Sequence, residues 1–114
     1  MKTKLPRGNL SDPSKGRADR EIFETLFARR DIKIERIVSL GQATPEGKWL
    51  KQRRDEWVLL LRGAARLRLG SGLLSLRPGD YLFIPAGTRH RVEWTPHRKE
   101  TLWLAVHFKT PARV

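Results

Sequence analysis

From Ile32 to Phe108 the chain breaks its apolar runs with Gly- and Pro-containing turns about every 8–12 residues, and this spacing limits the possible folds most severely. "IKIERIVSL" alternates at Ile32 and Ile34, and "WVLLLRG" is an apolar run closed by Gly63. "AARLRLG" sets Ala65, Leu67 and Leu69 on one face against Arg66 and Arg68 on the other. "YLFIPAG" stops at Pro85 and Gly87, and "ETLWLAVHF" reads as a last long strand. About eight or nine short strands with such turns predict an all-β chain, an antiparallel sandwich or barrel. No helical segments alternate with the strands, which excludes a parallel α/β sheet. Ahead of the strands, "DREIFETLFARR" has Ile22, Phe23, Leu26 and Phe27 at helical spacing with Asp19 placed to cap. A short N-terminal amphipathic helix is therefore expected there.

The 114 residues suit one domain with a real core. Residues 1–17, rich in Pro, Gly, Ser and Lys, are expected to form a flexible basic arm, residues 18–110 the barrel, and residues 111–114 a tail. The chain has no cysteine, which excludes disulfides, thiolate metal sites and a Cys nucleophile. No apolar run reaches the length of a membrane span and the basic start lacks a signal-peptide apolar stretch, so a cytoplasmic protein without membrane contact is expected. The net charge of +12 attracts polyanions or anionic small ligands. The basic residues are spread along the whole chain, however, and no nucleic-acid-binding motif accompanies them, so nucleic acid is the weakest partner candidate.

The stretch "TRHRVEW" holds the most informative histidine. Alternation places Thr88, His90, Val92 and Trp94 on one face and Arg89, Arg91 and Glu93 on the other. Three charges mark the second face as the solvent side, so His90 points inward, just past the "PAG" turn. An inward imidazole needs a hydrogen-bond partner, a ligand or a metal.

"GDYLFIPAGTRHRVEW" resembles the second motif of the cupin family, in which Gly, Pro, Gly and His recur at the spacing of Gly79, Pro85, Gly87 and His90. The family's first motif ends in Glu, six residues and Gly, and Glu56 and Gly63 match that pair. The resemblance implies a double-stranded β-helix, the jelly-roll barrel, usually dimeric, with a divalent metal ion held by His, His, Glu and His. Carried over by position, Glu56 and His90 fall on two ligand places, while Leu50 and Gln52 stand where the His-x-His pair is expected. Leu50 cannot bind a metal. Gln52 offers a carbonyl oxygen, a weaker donor than imidazole. Gly47 is at best a displaced first-motif glycine, and Trp94 replaces a frequent Asn. The implied metal set is Gln52, Glu56 and His90, with Leu50 and Trp94 on the pocket.

Other readings stay open at this level. Glu56 could be a corner residue paired with Arg53 or Arg54, and His90 could bond Gln52 or Glu56 without metal; a Glu–His pair is also an acid/base device. Trp94 either floors the pocket or is ordinary core. His107 shares a face with Trp103 and Ala105, opposite the apolar Leu102, Leu104, Val106 and Phe108, and is expected to point away from the core. His97 belongs to a turn. Trp57 faces opposite to Glu56, and a homodimer through that face is expected. The leading function is a small metal-binding cupin with a pocket for a small anionic ligand. The alternative is a metal-free ligand-binding or sensing cupin, and a nucleic-acid-associated protein comes third.

Overall fold

The computed structural model describes residues 5–110, so the expected tail at 111–114 lies outside the described residues. The order is β1 (Ile22–Arg29), β2 (Ile32–Ser39), β3 (Asp55–Arg62), β4 (Ala65–Leu69), β5 (Gly72–Leu76), β6 (Tyr81–Ile84), β7 (His90–Trp94) and β8 (Thr101–Phe108). They make a five-stranded antiparallel sheet, β1-β2-β8-β3-β6, and a three-stranded one, β5-β4-β7. Val58 and Leu60 of β3, Ile84 of β6 and Trp103 and Ala105 of β8 pack against Ala65 and Leu67 of β4, which closes the two sheets over one core. This is the expected jelly-roll architecture.

The expected N-terminal helix is absent. Residues 22–29 form β1, paired with β2 from Ile22↔Val38 to Arg29↔Ile32 through a tight turn at Arg30 and Asp31. A bulge between Thr25 and Phe27 breaks the alternation, so the apolar residues of this strand mimic a helical period. The edge of β2 supplies the hydrogen bonds that a lone turn of helix would have had to make for itself. Asp19, read as a cap, instead pairs with Arg17 at 2.9 Å on the surface.

Residues 5–17 hold no strand but are tied to the barrel. Arg36, buried on the outer face of β2, donates to the Leu10 and Asp12 carbonyls and to Glu24. Gln42 Nε2 donates to the Arg17 carbonyl, and the Gly16 N–H to Glu100.

The outer face of the large sheet is apolar as well. Trp57 leans on Tyr81 with ring centroids 5.7 Å apart, and Phe83 stacks on Phe108 at 6.1 Å. Tyr81 is 68% exposed and Phe83 48%. Among the described residues no helix is long and apolar enough to cross a membrane.

Candidate functional site

The turn read from sequence positions the site. Pro85 opens it, the Thr88 N–H closes on the Pro85 carbonyl at 3.1 Å, and Gly87 takes φ +81°, a conformation that disfavours any residue with a Cβ. Buried Asp55 accepts from the Ala86 N–H at 2.8 Å, and the Gly87 N–H donates to the Gln52 carbonyl at 2.8 Å. The turn is thereby pinned to the segment before β3. His90 begins β7 and exchanges two backbone hydrogen bonds with Leu50, 2.7 and 3.0 Å. Leu50, Gln52, Glu56 and His90 thus converge on one cavity of about 250 Å³ between the sheets.

His90 is only 4% exposed. Its Nδ1 lies 3.0 Å from the Thr88 carbonyl, which acts as acceptor and fixes the proton on Nδ1. Among the described residues Nε2 has no hydrogen-bond partner, and it lies 4.0 Å from Glu56 Oε1, beyond hydrogen-bond reach. Burial pushes the Glu56 carboxyl above its ordinary range; the imidazoles of His107 and His90 and the Gln52 amide pull it down and Glu35 pushes it up, and burial prevails. Gln52 Oε1 is buried with no hydrogen-bond partner. The cavity thus brings Gln52, Glu56 and His90 together, and among the described residues Glu56 joins no ion pair with Arg53 or Arg54.

Two expectations are overturned. His107 points into the cavity, not away: in the β3–β8 register it sits opposite Glu56, and its Nε2 lies 2.9 Å from Glu35 Oε1. The apolar side of β8, with Leu104, Val106 and Phe108, is the outer side of the large sheet. Its hydrophobic character was mistaken for a core signal. Trp94 points out of the cavity because β7 carries an extra residue against β4: Leu67 pairs with Val92 but Arg66 with Trp94. That bulge reverses the alternation after Glu93. Trp94 is 37% exposed, with the Arg66 guanidinium 5.1 Å from its ring centroid. His97 is exposed, as its turn suggested.

Glu21, Glu35 and His107 line the cavity and were missed. For Glu35 a signal existed: it shares the inward face of β2 with Ile37. The alternation at Ile32 and Ile34 drew attention to the other face. Glu35 is buried and also faces Lys33 Nζ at 3.4 Å. Three carboxylates and no Lys or Arg line the cavity, so its walls do not support the expected anionic ligand.

A cupin domain family model matches residues 36–107, well over half of the chain. The chain is a cupin. A solved structure from Ralstonia eutropha JMP134, described as a candidate mannose-6-phosphate isomerase, is 43% identical and superposes with a TM-score of 0.87 over 91% of this cupin and 98% of that chain. A cupin superfamily protein from Desulfitobacterium hafniense DCB-2 superposes at 0.75 with 18% identity, covering 96% of this chain and 94% of its own, and supports the fold alone. Human 3-hydroxyanthranilate 3,4-dioxygenase is 37% identical over 59 residues, 52% of this chain, and the match spans only 20% of that enzyme's length.

Could this cupin hold the family's metal? Among the described residues no three His, Cys, Asp or Glu side chains form a metal-holding group. The third donor has to be the amide oxygen of Gln52, and that atom is the buried one without a partner. A carboxylate, an amide oxygen and one imidazole fit a single divalent cation of hard or borderline character, with water completing its shell.

Proposed function

We propose that this cupin binds one divalent cation on Gln52, Glu56 and His90 and a small ligand in the cavity beside it. The observation that carries the reading is the convergence of a bare His90 Nε2, a buried Glu56 carboxylate and an unpartnered Gln52 oxygen. Each of these groups is costly to bury unless something positive comes to it. Bound there, the cation would supply Lewis acidity toward a carbonyl or hydroxyl oxygen of the ligand. The chain's own contribution is orientation and dryness. Thr88 holds the His90 ring in one tautomer, Glu35 holds His107, and Val58, Leu67, Ile84 and Trp103 keep the wall free of competing water.

Titration calorimetry of chelator-stripped protein with Mn²⁺, Ni²⁺ and Zn²⁺ tests the reading. About one equivalent should bind, and Glu56→Gln should abolish it. Equal affinity in wild type and variant would sink the proposal. A metal-free binding cupin is the second reading, favoured by Leu50 on the cavity rim where an imidazole would strengthen the centre. Ligand stabilisation unaffected by EDTA would select it.

A homodimer is also proposed, across the outer face of the large sheet. The aromatic pairs Trp57–Tyr81 and Phe83–Phe108 form an apolar patch on β3, β6 and β8 that a second copy covers through an isologous contact. Light scattering at micromolar concentration should give twice the chain mass, and Phe83→Glu should give a monomer. A wild-type monomer would remove it.

A further inference from the structure

The charge of the cavity runs against the charge of the chain. Around it lies a protein with 24 Lys and Arg, yet the lining offers Glu21, Glu35 and Glu56 and not one Lys or Arg. Two of the three acids are accounted for. Glu35 is closed by His107 and by Lys33, and Glu56 belongs to the cation centre proposed above. Glu21 remains. Among the described residues it joins no ion pair within 4.0 Å, although cations are abundant everywhere else on the molecule.

Glu21 is also aimed. Trp103 Nε1–H donates to Ser39 Oγ at 3.1 Å, and the Ser39 hydroxyl donates in turn to Glu21 Oε2 at 2.7 Å. With Trp103 and Ser39 both buried, this two-link relay fixes one carboxylate oxygen and leaves Oε1 free. Glu21 lines both the cavity and the adjoining groove that it shares with Leu50 and Val92, which sets it at the mouth. Phe23, Ile37 and Trp103 supply apolar and aromatic surface on the same wall.

We infer that the Glu21 end of the cavity is a subsite for the ammonium group of a small primary amine with a compact apolar body. The free Oε1 would accept a charge-assisted hydrogen bond, the rings of Phe23 and Trp103 favour a cation over an anion, and the apolar wall takes the body. A phosphate or carboxylate would meet three acids and, beside the two imidazoles, no Lys or Arg. The inference rests on the reading of this cavity as the ligand site and adds the class of ligand. It does not depend on the cation centre being filled.

The test uses four probes of one shape: benzylamine, benzyl alcohol, benzoate and phenyl phosphate, titrated calorimetrically onto the full chain with and without Mn²⁺. Benzylamine should bind most tightly. Glu21→Gln keeps an acceptor for Ser39, so the fold should stand. It should weaken benzylamine about 10- to 100-fold, the loss of one charged hydrogen bond. Benzyl alcohol and Mn²⁺ should bind this variant as they do wild type. Benzoate or phenyl phosphate binding as tightly as benzylamine would overturn the inference. So would an unchanged benzylamine affinity in Glu21→Gln, or no binding of any probe at millimolar concentration. Loss of Mn²⁺ binding alone, with benzylamine retained, would sink the cation reading and leave this one standing.

Discussion

Glu56–His90 and Glu35–His107 are two carboxylate–imidazole pairs facing one cavity, and they are built to opposite ends. The Glu35–His107 pair is closed: the two side chains meet at 2.9 Å and Lys33 attends the second oxygen. In Glu56–His90 the gap is 4.0 Å, and the one imidazole nitrogen that is tied is bonded to a backbone carbonyl on the far side. A closed pair has spent its hydrogen-bonding capacity on the fold, whereas an open pair keeps it for something that arrives. Identical chemistry thus serves architecture on one wall and, in the function proposed above, binding on the other. The 1 Å difference separates them.

Substitutions should sort along that line. The largest effect expected is on cation binding: His90→Ala should cost 100-fold or more in Mn²⁺ affinity, on the order of the loss of one ligand, while urea unfolding shifts little. Glu35→Ala should do the reverse. It leaves the His107 N–H and Lys33 without their partner and should cost about 2–3 kcal/mol of stability in urea titration, with Mn²⁺ affinity changed less than about threefold. If both variants lose affinity and stability together, the distinction between the pairs fails.

Leu50→His sharpens it from the other side. Leu50 already lies on the cavity and is hydrogen-bonded to His90 through the backbone. A second imidazole there should raise Ni²⁺ or Zn²⁺ affinity by about tenfold, measured by calorimetry.

The smallest effect concerns pH. The folded-state pKa of Glu56 lies above its unfolded value because of burial. This group therefore favours the folded state below the ordinary carboxylate range, and that contribution is lost as pH rises through the raised value. Metal-free Glu56→Gln should consequently melt slightly higher than wild type near neutral pH, with the difference vanishing under acid conditions. Thermal melts across pH in EDTA check the sign, and a lower melting temperature near pH 7 would contradict it.

How much of this was legible in the chain depends on which face a residue occupies. The spacing of Gly79, Pro85, Gly87 and His90 carried the turn, and the turn carried the site. Alternation also placed Ala65, Leu67 and His90 on the inward face, because on β4 and the start of β7 the inward side chains are the ones that differ in kind from their neighbours, while Glu56 was reached through the motif spacing to Gly63. It failed on β8, where the outward Leu104, Val106 and Phe108 are as apolar as any core. A sheet whose outer face is itself apolar gives alternation no contrast to work with. Trp94 was lost to one bulged residue, and β1 to another that turned a strand period into a helical one. Glu21 had no signal at all, since what gives it meaning is the Trp103–Ser39 relay from residues far away in sequence.

The bulge in β7 has a consequence for how such a chain can change over generations. By slipping the parity of the strand after Glu93, it lets Arg66 and Trp94 sit together outside while Val92 and His90 stay inside. The exterior can then accumulate or shed arginines without the interior registering it, as though the barrel wall insulated two separate ledgers of charge. A basic coat around an acid-lined cavity is what such independence permits.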